Sequence, residues 1–215
     1  MISSRGGVRL RKRMANELIC DFTGGAEGHR FRSGAGRGHS LPKAMGLKGD
    51  HTLTIVDATA GLGGDAFLLA SLGSKVTLIE RSVDMHKILQ DGLKRAQNAG
   101  GGVAEVIDRM TLLLGDAKDL LPSLCPDMVL VDPMHPARKK SALVKSNMRQ
   151  IREIVGEDLD TIDLMKVALQ TAQKRVVLKW PKRANTIDGI PAYSHQIIGK
   201  TTRYDVFMID QKKYL

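Results

Sequence analysis

The stretch Leu53-Thr54-Ile55-Val56-Asp57-Ala58-Thr59-Ala60-Gly61-Leu62-Gly63-Gly64-Asp65-Ala66 decides the fold. Its first half is a short run of aliphatic and β-branched residues, which reads as a strand ending at Asp57. Its second half is a glycine-rich turn that opens a helix, expected over about Asp65–Leu72. A Cβ at such a turn keeps the backbone away from a ligand or forces a forbidden φ, so glycine there signals close approach. The spacing Gly61-x-Gly63-x-x-Ala66 satisfies the loose dinucleotide fingerprint, a weak signal by itself.

Working outward, the same alternation repeats. Lys75-Val76-Thr77-Leu78-Ile79-Glu80 is a second strand, and Ser82 can cap the helix after it, which carries Ile88, Leu89, Leu93 and Ala96 on one face. Gly100-Gly101-Gly102 interrupts the pattern. Further strands are read in MTLLLGD (110–116), DMVLVD (127–132), RVVLKW (175–180) and RYDVFMI (203–209). Residues 23–38, TGGAEGHRFRSGAGRG, are expected to form loops. Strands alternating with helices, with apolar cores such as LTIV and VVL, indicate a mainly parallel α/β sheet with helices on both faces. We expect residues 1–51 to be a basic Gly/Arg-rich segment and 52–215 to be the Rossmann-like domain.

The chain has 215 residues, a formal net charge of +10 and 4% aromatics. The length suits one domain, and no apolar run approaches the roughly 18 residues of a membrane helix. A cytoplasmic protein is expected. Cys20 and Cys125 stand far apart without ligand spacing, and the six histidines show none either, so no metal is expected. The positive charge is clustered. Residues 1–51 hold ten Lys/Arg against four Asp/Glu, and residues 133–152 hold six Lys/Arg and no acid. Such patches fit a polyanionic partner, with nucleic acid the first candidate, while the scarcity of aromatics argues against a multi-base stacking platform.

Ligands of open α/β sheets sit at the carboxyl ends of strands. Four such ends carry acids here. Asp57 precedes the Gly61, Gly63 and Gly64 turn. Glu80 can accept hydrogen bonds from both hydroxyls of a ribose. Asp116 can take an adenine amino group or simply cap a helix. Asp132 opens Asp132-Pro133-Met134-His135-Pro136. That last segment resembles the (D/N)PP(F/Y) signature of amino-methylating methyltransferases, and the D-x-x-x-G-x-G turn takes the form seen in methyltransferases. An exocyclic amine on a base is a poor nucleophile because its lone pair is delocalised. A carboxylate and a carbonyl that accept its N–H bonds localise and aim that pair, and a flat side chain at the fourth position stacks on the base. Asp132, Pro133 and His135 are therefore the candidate catalytic residues. There is no phosphate loop, HExxH or GxSxG in the chain.

The sequence is similar to a specific family, the bacterial ribosomal RNA small-subunit methyltransferase J. The similarity rests on DFTGGAEGHRFRSGAGRG, VDATAGLGGDAFLLASLG, LIERS, VDPMHPARKKSALVKSNMR and GKTTRYDV, and runs from about residue 8 to residue 210. It implies a class I fold and transfer of a methyl group from S-adenosyl-L-methionine to N2 of a guanine in 16S rRNA, as free RNA or in the 30S subunit. It places cofactor contacts on Gly64, Asp65, Glu80, Arg81, Asp116, Ala117 and Asp132. His135 stands where the family has an aromatic ring, and the KWPKRAN stretch is atypical. Arg37, Arg138, Lys139, Lys140, Lys145 and Arg149 are expected to face RNA. The alternatives are a methyltransferase of DNA or of a protein amide, a nicotinamide-dependent oxidoreductase, and a catalytically silent RNA-binding protein.

Overall fold

A computed structural model describes residues 18–34, 36, 38–47, 52–134 and 160–210. Its elements, in chain order, are α1 (Gly25–Arg32), α2 (Ser40–Met45), β1 (Thr54–Asp57), α3 (Gly64–Ser71), β2 (Lys75–Glu80), α4 (Val83–Ala99), α5 (Gly101–Ile107), β3 (Met110–Leu114), α6 (Ala117–Leu124), β4 (Met128–Val131), α7 (Thr161–Thr171), β5 (Arg175–Pro181), β6 (His195–Ile198) and β7 (Thr202–Met208).

The strands form one sheet in the order β3-β2-β1-β4-β5-β7-β6. The pairs β1–β2, β1–β4, β2–β3 and β4–β5 are parallel, while β7 runs antiparallel to both neighbours. The sheet is thus doubly wound, and its order reverses between β1 and β4. Successive side chains alternate between faces. Ile55, Leu78, Leu130 and Val177 enter one core with α2, α3, α4 and α5. Val56, Ile79, Val129, Val131 and Val176 enter a second core with α6 and α7. Burial on both faces is why these strands read as continuous apolar runs.

Several elements differ from the sequence reading, among them the short helices α2 and α5, which it does not contain. Residues 25–32, expected as loop, are the helix α1. Its glycines serve contact as well as freedom. A Cβ on Gly28 would lie 2.3 Å from the Thr23 carbonyl oxygen. Phe31 meets Phe67 edge-on at 5.9 Å, and Phe67 stacks on Phe22 at 5.0 Å. Tertiary packing of this aromatic trio overrides weak local propensity. The strand β6, which the sequence reading omits, is a short edge strand with the mixed pattern His195-Gln196-Ile197-Ile198.

Residues 18–22 are fastened to α4. Arg95 Nη2 donates to the Cys20 carbonyl at 2.6 Å, and the Cys20 thiol donates to Leu62 O at 3.0 Å. Gly92 makes this approach feasible, since a Cβ there would lie 2.7 Å from Cys20 Cβ. Burial pushes the Cys20 thiol up to about 12. Both cysteines are free thiols.

Candidate active site

The glycine turn is built as its sequence demands. Gly61 and Gly63 have φ of +52° and +72°, in the left-handed region. Gly63 is doubly constrained, because a Cβ on it would lie 2.9 Å from Leu89 Cδ1. The turn is tied to β2 by Glu80, which is buried. Its Oε2 accepts from Gly61 N–H at 3.1 Å and its Oε1 from Ser82 N–H at 2.8 Å. The acid expected at the ribose therefore also fixes the loops on either side of it.

Beside this turn, where the strand order reverses, lies a cleft of about 580 Å³. It brings together Gly61, Glu80, Arg81, Asp116, Ala117 and Asp132 from the ends of β1 to β4, and adds Asp160 at the start of α7. This is where an open α/β sheet binds its ligand. Asp116 lines the cleft, and its carboxylate accepts from Lys118 N–H at 2.8 Å as the N-cap of α6. Asp160 joins Arg81, at 3.1 Å, to Lys118. The Lys118 hydrogen bond, aided by Arg81 and opposed by burial, holds the Asp160 carboxyl below the usual carboxylate range. A polar rim thus closes the Glu80–Asp116 side of the cleft.

Other predicted residues lie elsewhere. Asp57 is buried behind the turn, with Thr59 N–H donating to its Oδ1 at 3.2 Å. Burial, reinforced by the Asp65 and Asp132 charges, raises its carboxyl to about 7. Asp65, in the first turn of α3, reaches Lys179 rather than the cleft. Pro133 is buried directly after Asp132. His135, Arg37, Arg138, Lys139, Lys140, Lys145 and Arg149 lie outside the described residues.

Sequence reasoning missed Lys179 as a site residue. Its Nζ lies 2.8 Å from Asp132 Oδ2 and 2.6 Å from Asp65 Oδ2. Burial opposes its charge, yet the two carboxylates prevail and hold it above the ordinary lysine range. Asp132 is further located by its own N–H, which donates to Thr59 Oγ1 at 2.7 Å. The available signal was register. Lys179 is a cation inside an apolar strand, near the carboxyl end that carries the site. Downstream, Arg203 pairs with Asp205 through Nε at 3.0 and 3.1 Å, and its Nη1 donates to the carbonyls of Pro181, Lys182 and Ala184. The atypical KWPKRAN stretch is therefore clamped next to Lys179. Among the described residues no cluster of His, Cys, Asp or Glu has metal-holding geometry, and no helix is long and apolar enough to cross a membrane.

Comparison with known proteins identifies the family of the chain. A family described as putative SAM-dependent methyltransferase matches residues 2–209. The chain belongs to this family. A protein of Brucella anthropi named ribosomal RNA small subunit methyltransferase J is 66% identical over 193 residues, which cover 90% of this chain and 94% of the relative. One of Agrobacterium fabrum with the same name is 62% identical, covering 92% of this chain and 95% of the relative. The crystal structure of a SAM-dependent methyltransferase from Neisseria gonorrhoeae superposes with a TM-score of 0.68 at 34% identity, covering 92% of this chain and 78% of that one. The family is thus that of ribosomal RNA small subunit methyltransferase J, and its cofactor is S-adenosylmethionine. The cleft fits that cofactor. A turn with positive φ at Gly61 brings bare backbone to the cavity, and the Glu80 and Asp116 carboxylates line it with hydrogen-bond acceptors.

Proposed function

We propose that the chain methylates the exocyclic N2 amine of a guanine in small-subunit rRNA. The observation that carries this reading is Asp132. It lines the cleft at the switch point of the sheet, held by Lys179 and Thr59, within the Asp-Pro-Met-His-Pro segment. The relatives named ribosomal RNA small subunit methyltransferase J supply the substrate class.

When bound, S-adenosylmethionine supplies the methyl group as an electrophilic sulfonium. Glu80 would hold its ribose, Asp116 and Ala117 its adenine, and the Gly61–Gly64 turn its backbone-facing side. Asp132 would accept an N–H hydrogen bond of the guanine amine, localise the lone pair, stabilise the positive charge that builds on nitrogen as the methyl leaves sulfur, and take the released proton late. Lys179 compensates the negative charge of Asp132 and Asp65 and fixes the carboxylate that faces the cleft. Catalysis is then mainly positioning and preorganised electrostatics, and a full general base is not required. Arg37, Arg138, Lys139, Lys140, Lys145 and Arg149 would contact rRNA phosphates, so the protein acts where ribosomal subunits are made, in the cytoplasm.

Transfer of a tritiated methyl group to 30S subunits and to naked 16S rRNA, followed by nucleoside analysis, tests the proposal. Labelled N2-methylguanosine from either substrate is expected, and the comparison tells which of the two is used. Label in duplex DNA or protein instead of rRNA would overturn it.

A further inference from the structure

The sheet edge that carries Asp132 has a second polar recess. Strand β7 runs antiparallel to β5 with Thr202 opposite Pro181 and Tyr204 opposite Lys179. The turn between β6 and β7, residues 199–201, therefore stands level with the carboxyl end of β5. Between this turn, the start of α2 and Asp65 lies an open recess. Its polar lining includes His39, Ser40, Asp65, Lys200, Thr201 and Thr202.

We propose that this recess is a subsite for a sugar–phosphate unit of the substrate RNA, next to the nucleotide being methylated; the inference rests on the rRNA reading above. Asp65, the acid in the lining, already receives Lys179 at 2.6 Å, so its charge is matched from within. What remains is one lysine ammonium, an imidazole and the hydroxyls of Ser40, Thr201, Thr202 and Tyr204, a set that donates to anionic oxygens. The Lys200 ammonium and the His39 ring make no hydrogen bond or ion pair with a described residue, and both residues are exposed. A divalent cation would face Lys200 and find Asp65 taken.

The turn is rigid enough to present these groups. Gly199 N–H donates to Thr202 O at 2.8 Å, and Lys182 N–H donates to Thr201 O at 3.1 Å. A Cβ on Gly199 would lie 2.8 Å from Thr202 O and 3.6 Å from Ser40 Oγ, so the turn sits closely against α2. The recess and the cofactor cleft share a wall. Asp65 lines the recess, Asp132 lines the cleft, and the Lys179 ammonium bonds both. An RNA strand with a base at Asp132 passes this wall on its way across the edge. The proposal also gives a role to Gly199-Lys200-Thr201-Thr202, which touches nothing in the cofactor cleft.

The test is binding of 30S subunits and of 16S rRNA to the full chain at several salt concentrations, for the wild type and for Lys200→Ala, Lys200→Arg, Thr201→Val and Lys75→Ala. Lys75 is an exposed lysine at the opposite, amino edge of the sheet. Loss of one phosphate contact should weaken binding roughly three- to tenfold and lower the salt slope by about 1 in Lys200→Ala. Lys200→Arg should keep the slope, and Thr201→Val should weaken binding without changing it. Affinity for S-adenosylhomocysteine should stay the same in all four, which also verifies folding. An unaltered slope in Lys200→Ala, or an equal change in Lys75→Ala, overturns the subsite. If wild-type protein methylates rRNA and Lys200→Ala binds normally, the subsite alone fails. If wild-type protein methylates no rRNA, the functional reading fails and the subsite falls with it.

Discussion

Lys179 Nζ donates to Asp132 Oδ2 at 2.8 Å, from a strand that neighbours the one Asp132 follows. The pair sets the carboxylate that faces the cleft, and the charge on it is central to the proposed chemistry. Asp132→Asn keeps the shape and an acceptor for Lys179, but removes the negative charge and adds an amide donor. Turnover should fall at least about a hundredfold, the lower range for a positioned acid–base group. RNA affinity should hardly move, since phosphate contacts dominate it. Single-turnover methylation of 30S subunits with saturating cofactor measures this directly. A near-normal rate would mean that backbone and stacking groups suffice.

Lys179 should matter through Asp132. Lys179→Met would leave Asp57, Asp65 and Asp132 crowded without this cation. Turnover should drop at least about tenfold, the scale of one charged hydrogen bond, with Lys179→Arg retaining part of it. Rates that are equal in wild type and Lys179→Met would reduce Lys179 to a structural ion pair.

Glu80 carries two duties, and its variants should separate them. Removing the side chain leaves the half-buried Gly61 and Ser82 N–H groups without their Glu80 acceptor. Each such loss costs about 1–3 kcal/mol. Glu80→Ala should therefore shift the urea midpoint downward and also weaken S-adenosylhomocysteine at least about tenfold. Glu80→Gln, which keeps one acceptor oxygen, should recover part of the stability but less of the affinity. Calorimetry and urea unfolding read the two effects. Unchanged affinity in folded Glu80→Gln and Glu80→Ala would remove this residue from the site.

Most of the sheet was legible because parallel strands buried on both faces write themselves as apolar runs, as in Ile55-Val56 and Val76 to Ile79. The strand ends were legible because acids there, Glu80 and Asp132, interrupt those runs. What escaped depends on distant partners. Helix α1 is held by Phe31 meeting Phe67, a contact that no local pattern encodes. Lys179 joins Asp65 and Asp132 over separations of 114 and 47 residues. Its partners are fixed by strand order, and only the folded sheet supplies that. Asp65 looked like part of the cofactor turn by position, but the first turn of α3 directs it to Lys179.

The Arg203–Asp205 pair is buried, and a guanidinium that also serves the carbonyls of Pro181, Lys182, Ala184 and Asn185 has no apolar substitute of matching chemistry. Arg203→Met should cost about 3–5 kcal/mol, because Asp205 keeps a buried charge with only Gln196 Nε2, at 2.7 Å, still donating to it. Combining it with Asp205→Asn should restore part of that loss, since the stranded charge is gone. Urea unfolding of the single and double variants checks the pattern. A double variant less stable than Arg203→Met would mean that Asp205 has a role beyond its pairing.

Asp57 should give the protein a stability that declines toward neutral pH. In the unfolded chain its carboxyl titrates near 3.8, whereas burial, joined by the Asp65 and Asp132 charges and countered by Thr59 N–H and Lys179, raises it to about 7 in the fold. Between those values the folded protein keeps a proton that the unfolded chain has released. Folding is then coupled to proton uptake, and stability must fall as pH rises through this window. The contribution is complete below about pH 3.8 and gone above about pH 7. Its size is on the order of 4 kcal/mol, at about 1.36 kcal/mol for each pH unit of displacement. Asp57→Asn carries no titrating proton, yet its amide oxygen can still accept from Thr59 N–H. The variant should track wild type at pH 4.5 and become the more stable of the two by pH 8. Urea unfolding across that range gives the difference between the two curves, in which the titrations they share cancel. A difference that stays flat from pH 4.5 to pH 8 would mean that Asp57 is already ionised in the fold and that its neighbours accommodate the charge.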